Sequence, residues 1–274
     1  MIKVRILGFD YAFATSITGV IDLLSTAGTA WNYFAGKSME PKFDVQLVSR
    51  GGRSIRCLNN IVINAHCGFE QIGDVDVLLV PSIGGDVDKA LDTNSDIIAL
   101  LKEYVKRGTQ IISNCTGAFF LAEAGILDGR KATTHWAHAD RFRERYPNVQ
   151  LVPEQLITTD GQVFCSGGGT AWFDMALYLI ELYIDHETAI ESAKAMVLDT
   201  GRHSQLSYFA THQNKYHSDE TVKAVQEWVD EHYAEDFSLS WLAEQYAMSP
   251  RTLIRRFKTA TGESPLAYLQ TVRI

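Results

Sequence analysis

From its start to about residue 200 the chain alternates short apolar runs with stretches of helical periodicity, and this alternation limits the fold more than any other feature. Residues 3–9, 43–49, 75–81 and 110–113 are apolar runs of strand length, while 19–34 and 95–107 repeat apolar residues at helical spacing. Strands alternating with helices predict a flavodoxin-like α/β fold, a mostly parallel sheet with helices on both faces. Residues 53–56 and 61–63 predict two extra short strands. Segments 155–159 and 162–165, joined by Asp160-Gly161, predict a hairpin whose second strand has the alternative of re-entering the main sheet. Two further helices are predicted over 170–184 and 187–198.

After residue 200 the pattern lapses and then restarts as purely helical, with Val222, Val225 and Val229 beside Trp228. The expected organisation is an α/β domain over 1–200, a linker over 201–218 and a small all-α domain over 219–274. A length of 274 residues with 46% hydrophobic content supports two globular cores. No run approaches the roughly 18 apolar residues of a membrane span, and charges interrupt the apolar start, so a cytoplasmic protein without membrane contact is expected. Cys57, Cys67, Cys115 and Cys165 are widely spaced and form no Cys-x-x-Cys pair, which predicts neither disulfides nor a metal site. No cofactor is predicted.

The helical tail carries the first functional signal. Ser249-Pro250 has cap and first-position chemistry, and Gly262 has the residue type that closes a helix. Between them Leu253, Phe257 and Ala260 share one face, while Arg251, Arg255 and Lys258 share the other. Residues 238–247 form a second amphipathic segment just upstream, with Leu239, Leu242, Ala243 and Tyr246 as its inner residues. Two short helices and a tight turn, the second helix bearing exposed cations, are the pattern of a helix-turn-helix that reads duplex DNA; a helical hairpin with a solvated basic face is the alternative. Local charge favours DNA, although the whole chain has 25 Lys plus Arg against 33 Asp plus Glu, a net of −8. Residues 245–274 hold five bases and one acid, whereas 219–244 hold eight acids and one base.

A second signal lies where the apolar strand around Ile111 and Ile112 runs into the helix beginning Ala118-Phe119, with Cys115 at the turn. A sharp strand-to-helix turn can expose a nucleophile and place it near the helix's positive end, which favours thiolate; a small buried cysteine filling space is the equal alternative. His135 is a candidate partner, with a satisfied structural histidine as the alternative; Gly84 and Gly85 are candidate anion-holding amides, with a plain turn as the alternative; and the run Gly167-Gly168-Gly169 is read as a tight turn in preference to a ligand cradle.

The blocks Asn114-Cys-Thr-Gly-Ala-Phe-Phe-Leu-Ala, continuing to Thr134-His135-Trp136, and Ser249-Pro-Arg-Thr-Leu-Ile-Arg-Arg-Phe with Thr261-Gly-Glu-Ser-Pro-Leu-Ala-Tyr-Leu resemble the GlxA-like branch of AraC-family transcriptional regulators. In that branch a DJ-1/PfpI-like (class I glutamine amidotransferase-like) domain precedes an AraC-type DNA-binding module. The resemblance covers nearly the whole chain. It implies a first domain that senses a small-molecule effector or dimerises, with Cys115, Thr116, Gly84, Gly85 and His135 around the ligand. It implies a second domain that binds double-stranded promoter DNA, with Arg251, Ile254 and Arg255 facing bases and Thr252, Arg256 and Lys258 nearer phosphates. A homodimer and no enzymatic activity are expected; the alternative is a cysteine-dependent hydrolase or hydratase. Three departures qualify the enzyme reading and the DNA module. Ser16 stands where related enzymes carry an acid, Thr116 follows the cysteine where a protease-like branch has His, and the sequence stops inside the joining helix, so a second helix-turn-helix is expected to be missing.

Overall fold

In a computed structural model of the chain, residues 1–202, 204, 205, 217 and 219–273 are described. The chain divides into two compact units, Met1–Gln205 and Leu206–Ile274. In chain order the first unit comprises β1 (Ile2–Gly8), α1 (Thr15–Thr26), α2 (Ala30–Phe34), β2 (Phe43–Ser49), β3 (Ile55–Arg56), β4 (Val62–Ile63), β5 (Cys67–Gly68), β6 (Val77–Val80), α3 (Val87–Thr93) and α4 (Ser95–Lys106). It continues with β7 (Gln110–Asn114), α5 (Ala118–Glu123), β8 (Lys131–Ala132), α6 (Ala139–Arg145), β9 (Gln150–Leu151), β10 (Ile157–Asp160), β11 (Val163–Ser166), α7 (Ala171–Tyr183) and α8 (His186–Ala195).

The main sheet has the order β10-β11-β7-β6-β1-β2-β5. All its pairings are parallel except β10 with β11, which form the hairpin expected around Asp160-Gly161. Strand β11 does both things the sequence left open, since it also lies parallel to β7. The expected strands over 53–56 and 61–63 exist as the antiparallel pair β3 and β4, outside the main sheet. Central strands such as β6 are buried along their length because helices cover both faces. The expected helix over 19–34 is instead two. Gly28 takes a left-handed φ of 73° between α1 and α2, and its carbonyl accepts the Glu40 amide at 2.7 Å, so the backbone turns there and not after residue 34. Among the described residues no helix is long and apolar enough to cross a membrane.

The second unit comprises α9 (Glu220–His232), α10 (Leu239–Gln245), α11 (Pro250–Thr261) and α12 (Pro265–Val272). Each start carries its own cap: Asp219 accepts from the Val222 amide, Ser238 from Trp241, Ser249 from Thr252 and Ser264 from Ala267. Gly262 closes α11 at φ 83°, which an L side chain adopts only under strain. Val222, Val225, Val229, Leu242, Leu253, Phe257, Tyr268 and Leu269 form a core separate from that of the first unit. Tyr268 packs edge-on against Phe257 and gives its hydroxyl to Asp230 at 2.8 Å.

Separate cores predict separate unfolding. Phe257→Ala removes a fully buried ring from the smaller core at a cost of about 3–5 kcal/mol, comparable with the whole stability of a small domain. Hydrogen exchange followed by mass spectrometry should show amides of α9 to α12 losing protection while β1, β6 and β7 keep theirs. Equal loss in both units would contradict this division.

Candidate functional site

The reading face of α11 follows from what its other face buries. Leu253 and Phe257 have no exposed surface, and burying each stabilises by about 1.5–3 kcal/mol, which fixes the helix's rotation about its axis. Residues on the opposite side then face solvent: Arg251, Arg255 and Lys258 are exposed, and Ile254 is 39% exposed among them. Before α11, Ala247 takes a left-handed φ of 54° and the Met248 amide returns to the Ala243 carbonyl at 2.9 Å, which makes the tight turn after α10. Thr252 is half-buried, its hydroxyl 2.8 Å from the Ser249 cap.

Arg256, expected near phosphate, is placed otherwise. Its Nε and Nη2 donate to the two carboxylate oxygens of Asp219 at 2.9 and 2.5 Å, so the guanidinium braces α11 against the start of α9. The Arg256 guanidinium in turn holds the Asp219 carboxyl below the usual carboxylate range. The helical spacing placed Arg256 one position from Arg255; it gave no sign of an acid 37 residues earlier. Arg273, counted among the basic tail, donates to the backbone carbonyls of Tyr233 and Glu235.

In the first unit Cys115 occupies a true elbow. It is the residue after β7, with φ 55°, in a left-handed conformation that costs an L-residue of order 1–3 kcal/mol. The turn is held from three sides: Thr134 Oγ1 donates to the Cys115 carbonyl at 2.9 Å, Ser82 Oγ to the Asn114 carbonyl, and Thr116 Oγ1 both donates to the Ile83 carbonyl and accepts its amide. At Gly117 an added Cβ would lie 2.7 Å from the Pro81 carbonyl oxygen, so only glycine lets the elbow close over the end of β6.

Burial works against the activated thiol that an elbow suggests. Cys115 is only 8% exposed, and burial pushes its thiol above the ordinary value, against hydrogen bonds from the Thr116 and Gly169 amides and the Ser82 and Thr116 hydroxyls. The expectation that the helix's positive end favours thiolate is corrected by this desolvation. Ser16, at the position where the resemblance implies an acid in related enzymes, is fully buried; its hydroxyl donates to the Phe13 carbonyl and accepts the Ser82 amide, knitting two loops. His135 follows β8, which among the described residues pairs with β9 in a small two-stranded sheet. Its Nδ1 accepts the Ala137 amide at 3.1 Å and its ring rests on Gly168. Among the described residues no hydrogen bond joins His135 to the Cys115 thiol.

The glycines also divide. The Gly84 amide is spent on the Tyr11 carbonyl at 2.8 Å, which removes it as an anion holder, while Gly85 lines an open cavity beside Tyr11. Two buried residues were missed from sequence. Asn114, 1% exposed, accepts from Ser166 Oγ and leaves Nδ2 without a protein partner among the described residues, an omission that costs about 1–3 kcal/mol. Gln205, 2% exposed, accepts the Gly168 amide at 2.8 Å and donates to the Pro153 and Thr134 carbonyls. Arg202 ion-pairs with Asp174 and donates to Thr170. The first described residues of the expected 201–218 linker are therefore fastened to the glycine run beside Cys115; residues 203, 206–216 and 218 lie outside the described residues.

The first unit is a parallel α/β domain with a strained elbow cysteine, and the second a capped helix-turn-helix with a cationic outer face. The DJ-1/PfpI family matches residues 15–182, more than half the chain, and the chain belongs to that family. The family of bacterial regulatory helix-turn-helix proteins, AraC family, matches residues 229–270. The HTH-type transcriptional regulator CdhR of Pseudomonas aeruginosa is 27% identical over 230 residues, 83% of this chain and 67% of that protein. The isonitrile hydratase of Pseudomonas putida is 29% identical over 168 residues, 59% of this chain and 71% of the enzyme. The solved structure of an AraC family transcriptional regulator from Pseudomonas putida shares the fold of the first unit, with a TM-score of 0.60 at 18% identity over 72% of this chain and all of that one.

The histidines by the elbow give the first unit a pH dependence. Burial depresses both His135 and His138 below the ordinary 6.5, His138 adding to the effect on His135. Unfolded imidazoles take up protons before folded ones do, so this stability is complete above about pH 6.5 and is lost as pH falls below it toward the depressed folded values, by at most about 1.4 kcal/mol per pH unit for each group. Urea unfolding of the first unit between about pH 7.5 and pH 5.5 should show the decline, and His135→Gln should flatten it. Stability that rises over this interval would contradict the assignment.

Proposed function

We infer that this protein is a DNA-binding transcriptional regulator of the AraC type, whose elbow-cysteine domain senses a small molecule. The observation that carries the reading is the outward face of α11, where Arg251, Arg255 and Lys258 are exposed, with no ion pair to a carboxylate among the described residues, while its inner face is locked in a core. Arg255 is the leading base reader, since an arginine can bind guanine through two hydrogen bonds and discriminate by about 1–3 kcal/mol. Arg251 lies one turn earlier on the same face, Ile254 offers apolar contact to a thymine methyl, and Lys258 and Thr252 lie nearer the phosphates. Arg256 serves this surface indirectly, by holding α11 on α9. A homodimer would present two such heads, and their joint binding would exceed what a few phosphate contacts supply alone.

A Cys115-dependent hydrolase or hydratase has the strained elbow in its favour. Against it stand a desolvated thiol, a serine in place of the acid and an imidazole occupied elsewhere. The elbow then serves as a structural floor for the sensing domain.

Arg255→Ala, an exposed substitution that leaves the core intact, should abolish selective retention of promoter DNA in a gel-shift titration while weak non-selective binding persists. Selective binding equal to wild type would remove Arg255 from the reading role.

A further inference from the structure

The sheet order reverses between β1 and β6: from β1 the chain passes to β2 on one side, and β6 lies on the other. Open α/β sheets bind ligands in the crevice at the carboxyl end of such a switch point. A cavity of about 470 Å³ lies there, walled by the loop after β1, the region after β2 and the segment Gly85 to α3. That volume falls within the range of small-molecule sites.

Tyr11 stands at its edge in a left-handed conformation, φ 66°, fixed by its amide on the Arg56 carbonyl at 2.7 Å and by the Gly84 amide on its own carbonyl. Its ring is half-exposed, and Leu58 and Ala90 line the same cavity as an apolar wall. Most charges around the cavity are already spent. Arg50 makes two 2.6 Å hydrogen bonds to Asp96, and Arg53 is on Asp10, whose other oxygen accepts the Arg56 amide. Asp86 caps α3 through the Asp88 and Lys89 amides. Lys89 differs: among the described residues no carboxylate lies within ion-pair distance of it, and its ammonium sits 5.7 Å from the centre of the Tyr11 ring. The Tyr11 hydroxyl likewise makes no hydrogen bond among the described residues. Two donors without a hydrogen-bond or ion-pair partner among the described residues, next to an apolar wall, suit a small organic carboxylate with a short apolar body.

We propose that this cavity is the effector site, taking a small organic carboxylate on Lys89 and Tyr11, and not the space above the buried Cys115. It deepens the regulator reading and rests on it for the word effector; the site itself is testable alone. Titration calorimetry of the full chain with propionate, succinate and β-alanine, and with propionamide as the neutral control, should show binding of at least one carboxylate and none of the amide. Lys89→Met should weaken that binding about tenfold or more, Lys89→Arg should largely restore it, and Cys115→Ala should leave it unchanged. Leu58→Trp, checked for folding by circular dichroism, should block it by filling the cavity. Absence of binding by all three carboxylates, equal binding of propionamide, or binding that survives Lys89→Met but not Cys115→Ala would each overturn the site. Gel shifts on the same proteins separate the two readings: carboxylate binding without any DNA binding defeats the regulator assignment and keeps the site, and the reverse result defeats only the site.

Discussion

The rotation of α11 about its own axis is the constraint on which the functional surface depends. With Leu253 and Phe257 driven inward by the loss of apolar surface from water, and Ser249 and Gly262 fixing where the helix begins and ends, Arg251, Arg255 and Lys258 have nowhere to go but outward. Asp219 ties this helix to its neighbour twice over, as the cap of α9 and as the partner of Arg256. The same side chain that starts one helix therefore positions the next, and a cation that looked available from sequence becomes part of the scaffold.

In the first unit, too, side chains expected to act chemically are bound into the scaffold. The strand-to-helix turn is a sharp elbow, with a left-handed Cys115 and a glycine at 117 that lets the turn close. Around the thiol, Ser16 stands at the position where the sequence resemblance implies an acid, His135 Nδ1 accepts a backbone amide, and the sulfur is buried. Strain at a buried cysteine has a structural use here, because the turn it makes organises the surrounding loops. Those loops carry Gly169 to the sulfur and Gly168 to Gln205, so the space around the elbow and the exit of the chain from the first unit share one run of glycines.

Much of this was legible in the sequence because local chemistry decides it. Strand β2 begins and ends where its apolar run does, the Asp160-Gly161 hairpin is real, and the caps of α11 are the residues whose types demand that role. The break at Gly28 was hidden because helical periodicity continues across it, and only a carbonyl needed by Glu40 shows why the chain turns. Contacts between distant segments were out of reach: nothing in the order of residues joins Arg256 to Asp219, Gln205 to Gly168 or Lys89 to the Tyr11 ring. Desolvation was the other blind spot, since the depth of Cys115 depends on packing that no motif records.

If the exposed cations of α11 meet a phosphate backbone, salt reads that contact. Fluorescence anisotropy of the protein on a labelled promoter duplex, repeated across salt concentrations, should give a log affinity that falls linearly with log salt, with a slope near −0.9 for each phosphate neutralised, made shallower by about one when Lys258 is replaced by Ala. An affinity that does not change with salt, or a slope that Lys258→Ala leaves untouched along with Arg251→Ala and Arg255→Ala, would contradict the claim that the outer face of α11 engages DNA.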